Sequence, residues 1–184
     1  VRAYVGSAQY GSTARKGAVN YLTALRSPGS TLKPLIYAKA LNRGLIRLDQ
    51  LFDDTTYYRA GYRPTNFDQG FRGKVTLRDA LVASLNIPAI RALEQVGPRI
   101  LQNELNGYLN RSLSTQADAG LSLAVGGLYL TPEQVAMIYM GLADPGLARE
   151  LTFEPEQRVA TDMTLISRAT SDKILDLLIQ EMSN

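Results

Sequence analysis

Arg26-Ser27-Pro28-Gly29-Ser30-Thr31-Leu32-Lys33-Pro34 is the stretch that decides how this chain reads. Pro28-Gly29 marks a tight turn. Behind it a helix fits Ser30 to Arg43, with Leu32, Leu35, Ile36, Ala40 and Leu41 at helical spacing and Gly44 as its stop. Pro34 falls in the first turn, where a missing N–H costs least. Ser30 and Lys33 then share one helix face, a turn apart. A desolvated lysine there can lose its proton near neutral pH and take the proton of the serine hydroxyl. Pro34-Leu35-Ile36 supply apolar surroundings that favour this. At the helix start, backbone N–H groups can also stabilise an oxyanion.

Composition narrows the chemistry. The 184 residues include no histidine and no cysteine. A Ser-His-Asp triad, a Cys-His pair and a His or Cys metal site are therefore excluded within the chain. Ser-Lys is the nucleophilic arrangement that remains, and no metal or cofactor is expected. The length suits one domain with a real core, and 45% hydrophobic with 20% charged residues is globular. The net charge of +3 is scattered, with no Lys/Arg run, so no nucleic-acid partner is expected. No apolar run reaches the ~18 residues that span a bilayer.

Outward from the centre, residues 1–6 read as a strand closed by Gly6-Ser7, and residues 7–17 as a polar loop. Val19 to Leu25 reads as a second short strand or an extended lead-in. Residues 49–75 show no strong period and read as a long ordered loop. Thr76-Leu77-Arg78-Asp79 is an acidic capping box opening a helix through Ser84. Pro88 suits the start of the next helix and Gly97 its end, and a further helix fits 98–109. Gly120 to Gly127 is a small-residue apolar stretch expected to be buried. Thr131-Pro132-Glu133-Gln134 opens a helix with Val135, Ile138, Tyr139 and Leu142 on its apolar face, ended by Asp144-Pro145-Gly146. Ser171 is expected to cap a last helix striped by Ile174, Leu175, Leu178, Ile179 and Met182.

Ser-x-x-Lys alone is a weak signal, matching about once by chance in a chain of this size. Its plain reading is an N-cap serine with a solvated lysine. Ser84-Leu85-Asn86 is the second element. It sits on the bend between two helices, where both polar side chains can face a shared cleft. Its plain reading is that Asn86 caps the following helix. The pair of motifs, in this order, is what carries weight.

At these residues a resemblance becomes plain. Ser-x-x-Lys followed by Ser-x-Asn is the order in penicillin-binding proteins and serine β-lactamases. The Arg26–Pro34 segment with Tyr37 resembles the nucleophile segment of the bifunctional (class A) penicillin-binding proteins. Tyr62-Arg63-Pro64-Thr65-Asn66-Phe67-Asp68, Gly73 to Leu81 and Ser84 to Ala89 resemble the run into their second motif. Gly120 to Gly127 with Leu130-Thr131-Pro132 is similar to a later stretch of the same domain. The resemblance implies an α+β fold: the helix-dominated part of the transpeptidase fold, with much of the central antiparallel sheet missing. It implies one partial transpeptidase domain over residues 1–184.

The family's third motif, Lys-Thr-Gly or Lys-Ser-Gly, is not found, since no Lys-x-Gly follows Ser84. In the family that strand binds the substrate carboxylate and supplies a second oxyanion donor, so the 184-residue form is expected to be inactive. A sheet missing strands leaves open edges that invite an oligomer.

By resemblance, Ser30 is the nucleophile, Lys33 the base, Ser84 the proton relay and Asn86 the clamp on the substrate amide. Tyr62 and Asn66, with Phe67, are expected to line the cleft. The implied partners are peptidoglycan stem peptides and β-lactam antibiotics. The implied location is extracytoplasmic, on the periplasmic face of the inner membrane, with the anchor in segments outside this sequence. A β-lactamase is the first alternative. It calls for a deacylating glutamate, yet none lies between residues 105 and 132, and Glu104 falls in an ordinary helix. A non-catalytic penicillin-sensing domain is the second.

Overall fold

The computed structural model describes residues 3–109, 118–145, 148–149, 160–161 and 163–179. Six α-helices lie within them: α1 (Lys33–Asn42), α2 (Leu77–Val82), α3 (Asn86–Val96), α4 (Pro98–Tyr108), α5 (Pro132–Ala143) and α6 (Arg168–Ile179). The strands form two antiparallel pairs, β1 (Phe52–Asp54) with β2 (Gly73–Val75), and β3 (Ala148–Arg149) with β4 (Ala160–Thr161). The fold is thus helix-rich α+β.

Helix α1 is the centre of the core. Every residue from Lys33 to Ala40 is buried. A helix covered on all sides needs no polar face, and here α3, α6 and the β1–β2 side enclose it. Leu35, Ile36, Ile87, Ile90 and Leu93 are fully buried between α1 and its neighbours. The Tyr37 ring meets Phe52 edge-on at 5.9 Å. Gly97, at φ +87°, ends α3 and opens α4 in a conformation that suits glycine. Thr131 and Gln134 close the full reciprocal capping box on α5, with Pro132 first in the helix.

Several expectations change. Residues 3–6 do not form a strand; the Gly6 carbonyl accepts the Tyr21 amide, and no ladder follows. Val19 to Leu25 holds a 3-10 turn at Tyr21–Thr23, capped by the Asn20 side chain. The loop expected over 49–75 begins and ends in the β1–β2 pair, whose three-residue strands are too short to show a period. Ser171 is not a cap. The Ser167 hydroxyl takes the Thr170 amide at 3.3 Å, so α6 starts a turn earlier, and Ser171 is buried against the Leu142 carbonyl. Met182 and Gly146 lie outside the described residues.

Candidate active site

The nucleophile segment does not enter α1 directly. Gly29–Leu32 forms a 3-10 turn, with Gly29 at φ +56°, and α1 follows from Lys33. Ser30 is exposed at the surface of this turn. Three neighbours hold it. The Ser27 hydroxyl donates to the Gly126 carbonyl at 2.8 Å. Arg26 and Leu130 exchange backbone hydrogen bonds of 2.9 Å. The Tyr139 hydroxyl on α5 donates to the Thr31 carbonyl at 2.8 Å. Gly126, at φ +98°, lies so close that a Cβ there would stand 2.7 Å from the Gly29 nitrogen and collide with the Ser27 hydroxyl. The small-residue stretch at 120–127 therefore has a local purpose: its glycine lets the turn before Ser30 seat.

At the first residue of α1, Lys33 is 2% exposed. Its Nζ donates to the Ser84 carbonyl, to Ser84 Oγ at 3.2 Å and to Asn86 Oδ1 at 2.7 Å. All three acceptors are neutral. Burial lowers the Lys33 pKa from 10.5 to about 8. The Ser30 hydroxyl has no hydrogen bond to Nζ among the described residues, so Lys33 is gathered with Ser84 and Asn86 while Ser30 is exposed on the turn ahead of it.

Ser84 follows the end of α2 with φ +49°, an uncommon conformation for a residue with a Cβ. The reversal turns both its carbonyl and its hydroxyl toward Lys33. Asn86 is the first residue of α3, and its side chain does not cap that helix. Its Oδ1 faces Lys33, and its Nδ2 donates to the Thr65 carbonyl at 2.7 Å. The capping alternative thus gives way to a cross-link between α1, the 55–72 loop and α3.

Tyr62 and Asn66 part ways. Tyr62 lines an open groove of about 340 Å³ with Arg59, Ala60, Ala119, Leu121 and Ser122, and desolvation raises its phenol pKa. Asn66 does not line the cleft: it is 3% exposed and its amide is fully engaged inside the protein. Phe67 projects fully into solvent. The sequence reading passed over Thr65 as a backbone acceptor, Tyr139 as a donor and Gly126 as a contact. For the last, the run of small residues was the available signal.

A buried lysine held by a Ser-x-Asn bend, behind an exposed serine turn in a helix-rich fold, defines the class. The chain belongs to the penicillin-binding protein transpeptidase domain family, whose model matches residues 1–184. It is 40% identical over 157 residues to Penicillin-binding protein 1C of Escherichia coli (strain K12), covering 85% of this chain and 20% of that protein. The Ser30-Thr31-Leu32-Lys33 form of the first motif resembles the same 1C type. Penicillin-binding protein 1F of Bacillus subtilis (strain 168) is 35% identical over 156 residues, covering 83% of this chain and 21% of that protein. The crystal structure of Penicillin-Binding Protein 1A from Haemophilus influenzae superposes with a TM-score of 0.64 at 28% identity, over 75% of this chain and 21% of that one. The chain thus spans about a fifth of the length of these relatives.

Proposed function

We propose that this domain cross-links peptidoglycan stem peptides through an acyl-enzyme on Ser30 and is acylated there by β-lactams. The observation that carries the reading is Lys33: a buried amine, with a pKa of about 8, held between Ser84 and Asn86 and one helical turn behind Ser30. In its neutral form the amine accepts the Ser30 proton as Oγ attacks the carbonyl between the two terminal D-alanines. An ester forms, and the bond to the last D-alanine breaks. Ser84 passes the proton to the leaving amine. An amine from a neighbouring strand then attacks the ester and releases Ser30. Asn86 has two Nδ2 protons; one goes to Thr65, and the other serves the substrate amide. With a β-lactam the ring amide opens onto Ser30, and the adduct persists.

Glu104 is tied to Lys39 and Arg43 at the far end of α1 from Ser30, which disfavours a deacylating role and with it the β-lactamase alternative. The reading places the domain outside the cytoplasm, on the periplasmic face of the membrane. No helix among the described residues is long and apolar enough to cross a membrane. Residues 85–184 hold no Lys-x-Gly, so the 184-residue form by itself is expected to acylate poorly. The test is intact mass of the full-length protein after exposure to benzylpenicillin, for wild type and Ser30→Ala. One adduct on wild type alone supports the reading. A folded wild type that takes no adduct overturns it.

A further inference from the structure

Asp54 is fully buried at the end of β1, yet its described hydrogen-bond partners are neutral. Its carboxylate accepts from Asn66 Nδ2 at 2.8 and 3.0 Å and from the Arg72 amide at 2.9 Å. Asn66 Nδ2 also donates to the Gly70 carbonyl at 2.9 Å. These bonds fix the amide's orientation, because carboxylate and carbonyl oxygens accept only. Asn66 Oδ1 therefore points the other way, onto the first amides of α3: Asn86 N at 2.7 Å and, more distantly, Ile87 N at 3.5 Å. A helix start leaves such N–H groups without intrahelical partners, and the residue ahead of α3, Leu85, has no side chain to cap them. Asn66 supplies that cap from another segment. The next residue back, Thr65, gives its carbonyl to Asn86 Nδ2, which turns Asn86 Oδ1 toward Lys33.

From this continuous chain of bonds we infer that Asn66, anchored by Asp54, is a positioning residue that sets the place of Asn86 and, through it, of Lys33. This rests on the acyl-enzyme reading above. Asn66 is buried, so its effect runs through these bonds. It fixes the main chain of Asn86 while its neighbour fixes the side chain, so loss of Asn66 frees both. Burial makes the arrangement demanding: without Asn66, the Asp54 carboxyl keeps only the Arg72 amide among the partners described.

The test is the acylation rate constant of the full-length protein at saturating benzylpenicillin, per folded molecule, with folding followed by circular dichroism. Wild type, Asn66→Ala, Asn86→Ala and the double variant are compared. Asn66→Ala is expected to slow acylation at least about tenfold with little change in apparent affinity, the scale of a misplaced catalytic group. The double variant is expected to be no slower than Asn86→Ala, because the two losses share one path. Losses that multiply, or a wild-type rate in Asn66→Ala, overturn the assignment. If Asn66→Ala does not fold, Asn66→Asp is compared with the exchange Asn66→Asp/Asp54→Asn, which restores one donor and one acceptor in reverse. Faster acylation by the exchange supports the assignment, and no gain over Asn66→Asp overturns it. An unreactive wild type overturns the functional reading, and this assignment falls with it.

Discussion

Lys33 and Lys39 enter the interior from the same helix, and among the described residues only Lys39 meets a carboxylate there. Lys39 Nζ lies 2.9 Å from Glu104 Oε2, whereas Lys33 has the neutral oxygens of Ser84 and Asn86. Both lysines are at most 5% exposed. Burial without a counter-charge favours the neutral amine of Lys33. One helix thus carries a candidate base at its start and a structural ion pair near its end.

That difference fixes a pH dependence. With a pKa of about 8, Lys33 is mostly protonated at pH 7, and the base form grows as pH rises. The acylation rate of the full-length protein should increase about fivefold from pH 7 to pH 8 and level off above it, as one titrating group requires. Lys33→Arg should lose activity at every pH, since guanidinium does not release its proton. The same shift has a stability sign. Between about 8 and the ordinary 10.5, the unfolded chain holds this proton and the folded chain does not, so the Lys33 contribution makes folding more favourable as pH rises through that window. A rate that is flat across pH 7–9 would remove Lys33 as the base.

Ser84 separates backbone from side-chain effects. Its φ of +49° costs a residue with a Cβ about 1 kcal/mol relative to glycine. Ser84→Ala keeps the carbonyl that Lys33 uses but keeps the strain; Ser84→Gly loses the same hydroxyl and relieves the strain. Both should slow acylation about 100-fold through loss of the relay. In thermal melts the glycine variant should match or exceed the alanine variant. An alanine variant clearly more stable than the glycine one would show that this backbone conformation is not held in solution.

How much of this was legible beforehand follows from range. The Ser30–Lys33 relation is local, so helical spacing exposed it, although the intervening 3-10 turn was not visible. The bend at Ser84-Leu85-Asn86 was legible from its flanking helices, but the reversed φ of Ser84 is imposed by packing. Asn66 sits in an aromatic, polar loop and so read as cleft-lining. Its burial comes from Asp54, on a strand of three residues that leaves no periodic trace. Tyr139 reads as part of an apolar face by its spacing from Val135 and Leu142, yet it is exposed. That its hydroxyl reaches Thr31, far away in sequence, depends on how α5 docks.

Gly126→Ala tests the seat of the nucleophile turn. The added Cβ would collide with the Ser27 hydroxyl and stand 2.7 Å from Gly29 N and 2.8 Å from its Cα. Backbone atoms cannot retreat as a flexible side chain can, and φ +98° is itself adverse to alanine. A loss of about 2–4 kcal/mol in denaturant unfolding is expected, from overpacking together with strain. The folded remainder should acylate more slowly than wild type, because the turn carrying Ser30 must shift. Wild-type stability and rate would show that the turn is not clamped there.

Glu104→Gln tests the other end of α1. Glu104 binds Lys39 at 2.9 Å and also pairs with Arg43, whose Nη1 donates to the Val96 carbonyl at 3.0 Å. The pair with Lys39 is mostly sheltered on the lysine side, 7% against 35% for the glutamate side chain. Amide for carboxylate keeps the shape and removes the charge, leaving Lys39 buried with no carboxylate beside it among the described residues. Full burial would cost about 3–5 kcal/mol, and the partial exposure of Glu104 reduces the expected loss to about 2 kcal/mol. Acylation per folded molecule should stay within about threefold of wild type, because no described bond joins Glu104 to Lys33, and distant sites act independently. Lower stability with an intact rate would mark this triad as structural. A collapse of acylation in fully folded protein would instead return Glu104 to the chemistry, and with it the hydrolytic alternative.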